Sequence, residues 1–242
     1  MISPKRATRP QLCLLGLIIA FAAAIRIYRI GAVGFWFDEV ASIITACGHW
    51  RWLFFHQLGY FPHPPDLASK NGMRPLYELF AEADSHPPLY FFLLRGWWFL
   101  FGMSDVSCRI PSLIASLLAI VIVFDMGRLI ANPTIGLWSA AMMAAAPTQL
   151  RYAQEARSYA LLALFGAAAC DVLLRIHLLG RSRRRWIAAA IFIAMAAWTH
   201  YFVEGAVLAL IVFACLRMHD SSRRMLTAIV AFAVIALIAM RL

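Results

Sequence analysis

Residues 12–25 read LCLLGLIIAFAAAI, and residues 34–39 read GFWFDE, which ends in the adjacent carboxylates of Asp38 and Glu39. The first stretch belongs to an apolar segment of about 20 residues, which is long enough to cross a membrane. Carboxylates that follow such a segment and lie among aromatic residues are costly to desolvate. The pair therefore indicates either a functional site at a membrane surface or a solvated turn that Trp36 anchors.

Apolar character continues along the whole chain. Of the 242 residues, 63% are hydrophobic and the mean hydropathy is +0.75, whereas a soluble domain averages about 45–50% apolar residues. The composition predicts an all-α fold, a polytopic bundle of transmembrane helices. The net charge of +10 does not indicate nucleic-acid binding, because the charges lie between the apolar runs, where they set topology and contact membrane lipids.

Basic residues orient the predicted spans. The densest basic loop lies at residues 181–185, and we expect it to be cytoplasmic, as we expect of the N-terminal tail. Counting spans from that loop places the Asp38–Glu39 pair on the outer face. The same count places residues 152–157 and 199–201 there, so three separate polar stretches share one side of the membrane.

The chain is predicted to form one membrane-embedded domain, residues 1–242. Arg26 and Arg29, at the end of the first span, are expected to extend toward the headgroups. Residues 187–216 suit only two short helices, broken near His200 and Gly205. The remaining parts are a first span at 11–30, an external loop at 31–109 with an interfacial helix at 89–101, and about six further spans within 110–242, including 110–130, 135–151 and 156–175.

Two acidic residues have simple local explanations. Asp125 precedes Arg128 by three residues, and Asp171 precedes Arg175 by four. Charges at these spacings are neighbours on a helix surface. Each pair is therefore predicted to be an ion pair within one helix, near the cytoplasmic side.

Five short motifs follow one another along the chain and reach the predicted outer face. They are Arg26-Ile27-Tyr28 with Phe37-Asp38-Glu39, Ser85-His86-Pro87-Pro88-Leu89-Tyr90, Arg109-Ile110-Pro111-Ser112, Gln154-Glu155-Ala156-Arg157-Ser158-Tyr159-Ala160, and Thr199-His200-Tyr201-Phe202. Together they resemble the membrane-embedded C-type (GT-C) glycosyltransferases, especially the bacterial branch similar to the dolichyl-phosphate-mannose protein mannosyltransferases and the aminoarabinose lipid A transferases. Since such enzymes usually continue through more spans, we expect this chain to be truncated at its C-terminus.

The resemblance implies transfer of a sugar from a polyprenyl-phosphate donor to a hydroxyl of a lipid, glycan or protein acceptor, with inversion. The reaction would take place at the external, periplasmic face of the bacterial inner membrane. The chemistry needs a general base and a cationic contact for the departing phosphate. The implied catalytic acids are Asp38, Glu39 and Glu155; the implied donor-phosphate contacts are His86, Arg157 and Arg109; and the possible cleft residues are Tyr159, His200 and Tyr201.

Several of these roles have open alternatives. Glu155 is predicted to bind a divalent metal (Mg²⁺ or Mn²⁺) together with Asp38, to contact the acceptor, or to pair with a neighbouring arginine. The reaction thus needs either no cofactor or a divalent metal. Arg157 is alternatively a lipid-headgroup contact and His86 a capped turn. His200 is alternatively a hydrogen-bonded cap.

Two other classes of function stay open. The first is a non-catalytic or split-partner membrane protein that keeps the first half of the fold. The second is a transporter or flippase, which would place ionisable groups near the bilayer midplane on broken helices. This chain instead places them at one face, which favours a surface reaction.

Overall fold

The computed structural model describes residues 6–48 and 87–203, together with residues 205, 209, 212, 227, 230 and 231. No strand occurs among these residues, so the predicted all-α fold is confirmed. The described segments form eight helices: α1 (Arg9–Ile27), α2 (Phe37–Cys47), α3 (Leu89–Phe101), α4 (Asp105–Ile130), α5 (Pro133–Ala145), α6 (Pro147–Ala153), α7 (Tyr159–Leu179) and α8 (Arg183–Ala197).

Three helices within the described ranges are long and apolar enough to cross a membrane, namely α1, α4 and α7. The shorter apolar helix α3 has 13 residues, which is too few to span a bilayer core of about 30 Å. Its interfacial location stays a prediction. The predicted spans beyond residue 203 lie mostly outside the described residues.

Local sequence explains where several helices start and end. Ser104, Asn132 and Ser182 are N-cap residues whose side-chain oxygens each accept a hydrogen bond from the backbone N–H three residues later. α8 ends at Ala197, and a turn follows before the chain becomes helical again at Val203. The predicted break near His200 is therefore confirmed, whereas Gly205 is helical.

Helix α4 is packed against both α5 and α7. Its contact with α5 depends on two glycines, because a Cβ at Gly136 would lie 2.5 Å from the carbonyl oxygen of Phe124, and one at Gly127 would lie 2.8 Å from the Cα of Gly136. Small residues let helix backbones approach closely in a membrane. The two helices thus touch backbone to backbone at this crossing.

Residues 135–151 do not form the single span that the sequence predicts. The helix ends at Ala145, and Ala146 adopts an extended conformation with ψ of 123° before α6 begins at Pro147. The prediction was wrong because proline lacks the N–H that would continue the helix and disfavours helical geometry in the residue before it. The short helix α6 therefore changes direction and leads toward α7.

Arg26 does not extend toward the headgroups, contrary to the sequence expectation. The side chain is fully buried and donates to Oγ of Ser116 at 3.0 Å and to the carbonyl oxygens of Ala22 at 3.2 Å and Ala144 at 3.0 Å. Backbone carbonyls and a hydroxyl replace the water that an outward side chain would reach. Arg26 thus ties α1 to α4 and α5, whereas Arg29 is exposed.

The acidic residues of α4 and α7 form the local pairs that the sequence predicts. Nε of Arg128 donates to Asp125 at 2.9 Å, and Nε of Arg175 donates to Asp171 at 2.7 Å. Arg175 also pairs with Asp125. The two local pairs therefore join into one network that connects α4 to α7.

Candidate functional site

The carboxylate pair lies in the first turn of α2. Trp36 is the N-cap residue, in an extended conformation, so Asp38 and Glu39 occupy the second and third helical positions. Acidic side chains are stabilised there by free backbone N–H groups and by the helix dipole. The helix ends at Cys47, and the next residue, Gly48, has a φ of 80° that suits glycine. The sequence thus places both carboxylates at one end of a short helix.

Glu39 is buried, with 1% of its surface exposed. Its two oxygens accept from Nε and Nη2 of Arg109, each at 2.8 Å. Oε1 also accepts from the backbone N–H of Ala156 at 2.8 Å. A two-pronged bond between arginine and a carboxylate is both strong and directional. This one carboxylate therefore joins α2 to α4 and to the turn before α7.

The other N–H groups of Arg109 bind the loop between α1 and α2. Nη1 donates to the carbonyl oxygens of Ile30 and Val33, and Nη2 donates to Gly34 at 3.4 Å. An arginine has five N–H groups, and here each has a protein acceptor. The predicted contact of Arg109 with a donor phosphate would thus require one of these bonds to break.

Asp38 has the more accessible carboxylate, with 35% of its side chain exposed, and its cationic neighbour is Arg157. Nη2 of Arg157 lies 3.7 Å from Oδ2 of Asp38. Nη1 donates to the backbone carbonyl of Asp38 and to Oγ of Ser42, each at 3.1 Å. Nε of Arg157 is buried and has no hydrogen-bond partner among the residues that the structure describes. The fold thus unites two predicted site residues from distant parts of the chain.

Aromatic rings extend this group away from Asp38. Nη2 of Arg157 donates to the hydroxyl of Tyr159 at 3.2 Å, and the Tyr159 and His200 rings lie 5.2 Å apart. Nδ1 of His200 accepts from the backbone N–H of Phe202 at 3.0 Å, which is the capping arrangement left open by the sequence. Tyr201 lies in the same turn and is half-buried. Tyr159 and His200 therefore adjoin the Asp38–Arg157 pair.

Glu155 belongs to a different group of side chains. Its Oε1 accepts from Nε of Arg151 at 2.7 Å, and this hydrogen bond raises the pKa of Arg151. One of the alternatives left open by the sequence, a pair with a neighbouring arginine, is therefore present. Glu155, Arg151 and Trp36 line a cleft of about 570 Å³, and Asp38 is not among its lining residues. The arrangement does not bring Glu155 and Asp38 to one cleft.

His86, a predicted phosphate contact, lies outside the described residues. The chain downstream of His86 is anchored near the site, because the backbone N–H of Leu89, at the start of α3, donates to the carbonyl of Trp198 at 3.0 Å. Trp198 lies two residues before His200 in the sequence. The start of α3 and the turn after α8 are therefore neighbours.

The family model of the dolichyl-phosphate-mannose-protein mannosyltransferases matches residues 85–242, well over half of the chain. The chain belongs to this family. Membership makes it a membrane glycosyltransferase of the mannosyltransferase type and confirms the resemblance seen in the motifs. No curated protein sequence gives a significant match to the chain.

The mannosyltransferase match contains only part of the site. Arg109 and Arg157 lie within the matched residues, whereas Asp38 and Glu39 precede them. The structure connects the two parts, because Glu39 binds Arg109 and the N–H of Ala156, both inside the match. The carboxylate pair is therefore physically joined to the segment that shows the family.

The described residues do not form a suitable set of ligands for a divalent metal. No group of three or more histidine, cysteine, aspartate or glutamate side chains among them is placed to hold a metal ion. Both carboxylate oxygens of Glu39 accept hydrogen bonds from Arg109, and Glu155 accepts one from Arg151. Mg²⁺ prefers about six oxygen ligands. Of the three predicted catalytic acids, Asp38, Glu39 and Glu155, only Asp38 has a side chain that accepts no hydrogen bond from an arginine within the described residues.

Three polar residues at the site had no role in the sequence interpretation. Oγ of Ser112 donates to the carbonyl of Arg157 at 3.0 Å, and Nε2 of Gln154 donates to three carbonyls at the end of α1. Ser42 lies one helical turn after Asp38, so its position on the same helix face was a usable signal. The contacts of Ser112 and Gln154 depend on long-range packing and had no such signal.

Proposed function

We propose that this chain transfers a sugar from a polyprenyl-phosphate donor to a hydroxyl of a lipid, glycan or protein acceptor, with inversion at the anomeric carbon. The proposal rests on one observation, the approach of Arg157 to within 3.7 Å of the Asp38 carboxylate. A carboxylate is suited to take a proton, and a guanidinium is suited to hold a phosphate. The family supplies the class of reaction, glycosyl transfer.

In the proposed reaction Asp38 is the general base. The acceptor hydroxyl gives its proton to the carboxylate while its oxygen bonds to the anomeric carbon. The bond between that carbon and the phosphate oxygen breaks, and the polyprenyl phosphate leaves with the bonding electron pair. Attack on the face opposite the leaving group inverts the configuration. The 3.7 Å separation from Arg157 is too long for a hydrogen bond, so Arg157 does not occupy the carboxylate oxygens that would face the acceptor hydroxyl.

Arg157 is proposed to stabilise the departing phosphate. Its charge is permanent, and its planar fork matches two phosphate oxygens. The buried Nε, which has no partner in the described part of the chain, is the donor best suited to this contact, with the Tyr159 hydroxyl beside it. His86, outside the described residues, stays a predicted second donor.

Glu39 and Arg109 are proposed to position Asp38 rather than to touch substrate. Glu39 follows Asp38 in the same helical turn and is held by Arg109 at two points. Since all donors of Arg109 are engaged, we replace its predicted phosphate contact with this role. The pair fixes the start of α2 against α4, and so fixes where the general base lies.

The site is proposed to face the outside of a bacterial inner membrane. Helix α7 begins at Tyr159 and has 21 residues, a length of about 30 Å. Arg157 therefore precedes one end of α7, and the arginine-rich residues 181–185 follow the other end. Since basic loops are retained in the cytoplasm, the Asp38–Arg157 group belongs to the opposite face.

The test compares Asp38→Asn with the parent in membranes that contain the full chain. The assay measures release of polyprenyl phosphate from a panel of polyprenyl-phosphate sugars, with envelope extract as the source of acceptor. Loss of the proton acceptor is expected to lower turnover by about a hundredfold or more, with donor binding nearly retained. Asp105→Asn, which changes an acid in the first turn of α4, is the matched control and is expected to retain activity.

A second variant separates the base from the phosphate contact. Arg157→Lys keeps the charge but loses the fork, so donor binding is expected to weaken by about tenfold. Parental activity of Asp38→Asn would place the base elsewhere. Parental donor binding by Arg157→Lys would show that the leaving phosphate lies at another position.

A further inference from the structure

We propose that the cleft beside Glu155 is a second site for a phosphate ester, separate from the Asp38–Arg157 group. The Arg29 cleft, as we name it, has a volume of about 570 Å³ and is lined by Arg29, Trp36, Arg151, Gln154 and Glu155, by the Glu39–Arg109 pair, and by apolar residues of the α1–α2 loop and α6. Its volume is within the usual range of small-molecule sites, about 300–1,000 Å³. The proposal goes beyond the proposed transfer, because it requires binding and no turnover.

The charges of the Arg29 cleft do not cancel. Three arginines and two glutamates line it, so one positive charge is in excess. Glu39 neutralises Arg109, and Glu155 binds Arg151 through Nε. Arg29 is exposed, and no hydrogen bond or ion pair engages its side chain within the described part of the chain. Its guanidinium is therefore open to an anionic ligand.

The backbone that carries Arg29 is fixed in an unusual conformation. Arg29 is the only non-glycine residue with a positive φ, 58°, among those that the structure describes. Nε2 of Gln154 donates to the carbonyl of Tyr28 at 3.0 Å, and Nη1 of Arg109 donates to the carbonyl of Ile30. A strained backbone conformation persists where several contacts from neighbouring residues hold it, and such positions cluster at ligand sites. The bonds on both sides of Arg29 thus fix its backbone in the wall of the cleft.

Arg151 provides a second guanidinium opposite the loop. Its pairing with Glu155 uses Nε. The two terminal amino groups have no hydrogen bond to the residues that the structure describes, so they are available to a ligand. The guanidinium lies 5.7 Å from the centroid of the Trp36 ring, and this indole is part of the exposed surface. Two planar forks beside an exposed aromatic ring suit a phosphate ester with an organic substituent, which the ring covers.

Two sources can supply such an ester at a membrane surface. One is polyprenyl phosphate, and this assignment rests on the proposed function. The other is the headgroup of a bulk anionic phospholipid, which does not. The recognised group is the same in both, because the guanidinium groups bind phosphate oxygens and not the lipid chain.

The test counts bound lipid by native mass spectrometry of the purified full chain in detergent. Farnesyl monophosphate and a short-chain phosphatidylglycerol serve as probes in separate titrations. Arg29→Gln, and Arg151→Gln combined with Glu155→Gln so that no buried acid loses its partner, are each expected to weaken binding of one probe molecule by about tenfold. Arg9→Gln is the matched control, an exposed arginine at the other end of α1.

The pattern of losses identifies the source. Weaker binding of farnesyl monophosphate alone assigns the cleft to a polyprenyl phosphate. Weaker binding of phosphatidylglycerol alone assigns it to a phospholipid. Weaker binding of both probes shows that the cleft recognises the phosphate group itself. Arg157→Lys distinguishes this cleft from the proposed transfer site. It should weaken the binding of a farnesyl monophosphate at the transfer site, and Arg29→Gln should leave that molecule bound. Unchanged binding of both probes in both cleft variants, or an equal loss in Arg9→Gln, overturns the proposal.

Discussion

Replacing Glu39 by glutamine tests what holds the proposed general base in place. Arg109 is 4% exposed, and two of its N–H groups point at the Glu39 oxygens at 2.8 Å. Glutamine keeps one of these oxygens as an acceptor and places an NH₂ group where the other was, so that a donor faces a donor. The variant also leaves the Arg109 charge buried without a counter-ion.

The magnitude follows from that burial. Removing one partner of a buried ion pair costs about 3–5 kcal/mol, and we expect Glu39→Gln to lower the free energy of unfolding by this amount. The double variant Glu39→Gln/Arg109→Gln removes both charges and leaves none unpaired. We therefore expect the double variant to lose less unfolding free energy than the two single variants together, by a coupling energy of about 1–3 kcal/mol.

The assay is equilibrium unfolding of the purified protein in mixed micelles with increasing sodium dodecyl sulfate, followed by circular dichroism. Glu155→Gln is the control, because its partner Arg151 has 66% of its side chain exposed, and such pairs contribute little. Its loss should be much smaller than that of Glu39→Gln. A loss of less than about 1 kcal/mol of unfolding free energy in Glu39→Gln would match the scale of an exposed pair. Such a small loss, or a double variant whose loss equals the sum of the two single losses, would show that Glu39 and Arg109 are not a buried ion pair.

Two further predictions concern packing and topology. Gly136→Ala is expected to cost about 1–3 kcal/mol of unfolding free energy, because its Cβ would lie 2.5 Å from the carbonyl oxygen of Phe124. In the same unfolding assay the control Gly166→Ala, whose Cβ would have nothing within 4 Å, should not destabilise the protein. Equal losses in the two variants would contradict the close crossing of α4 and α5. A cysteine at Ser182 should be shielded from an impermeant thiol reagent in intact cells and one at Val33 labelled, whereas labelling at Ser182 would reverse the orientation.

The long helices were predictable because their signal is local. The apolar runs of α4 and α7 leave a membrane span as the simplest structure. The break before Pro147 also had a local signal, the proline itself, which the apolar count of residues 135–151 overrode. Hydropathy averages over a window, whereas proline acts at a single position.

The closeness of several candidate residues was predictable from the sequence, whereas their pairing was not. Asp38, Arg157 and Tyr159 lie close together, as the order of the outer segments suggested. The Glu39 partner was not predictable, because Arg109 is 70 residues away and several outer arginines were equal candidates. The separation of Glu155 from Asp38 likewise depends on long-range packing and not on spacing in the sequence.

The burial of Arg26 has a consequence for how the chain is assembled during synthesis. Its partners Ser116 and Ala144 follow 90 and 118 residues later, so they do not exist when α1 is first inserted. Until they arrive, the guanidinium has only the carbonyl of Ala22 from its own helix and must otherwise be solvated by water or lipid headgroups. The buried hydrogen bonds of Arg26 can therefore be completed only after α5 has been translated.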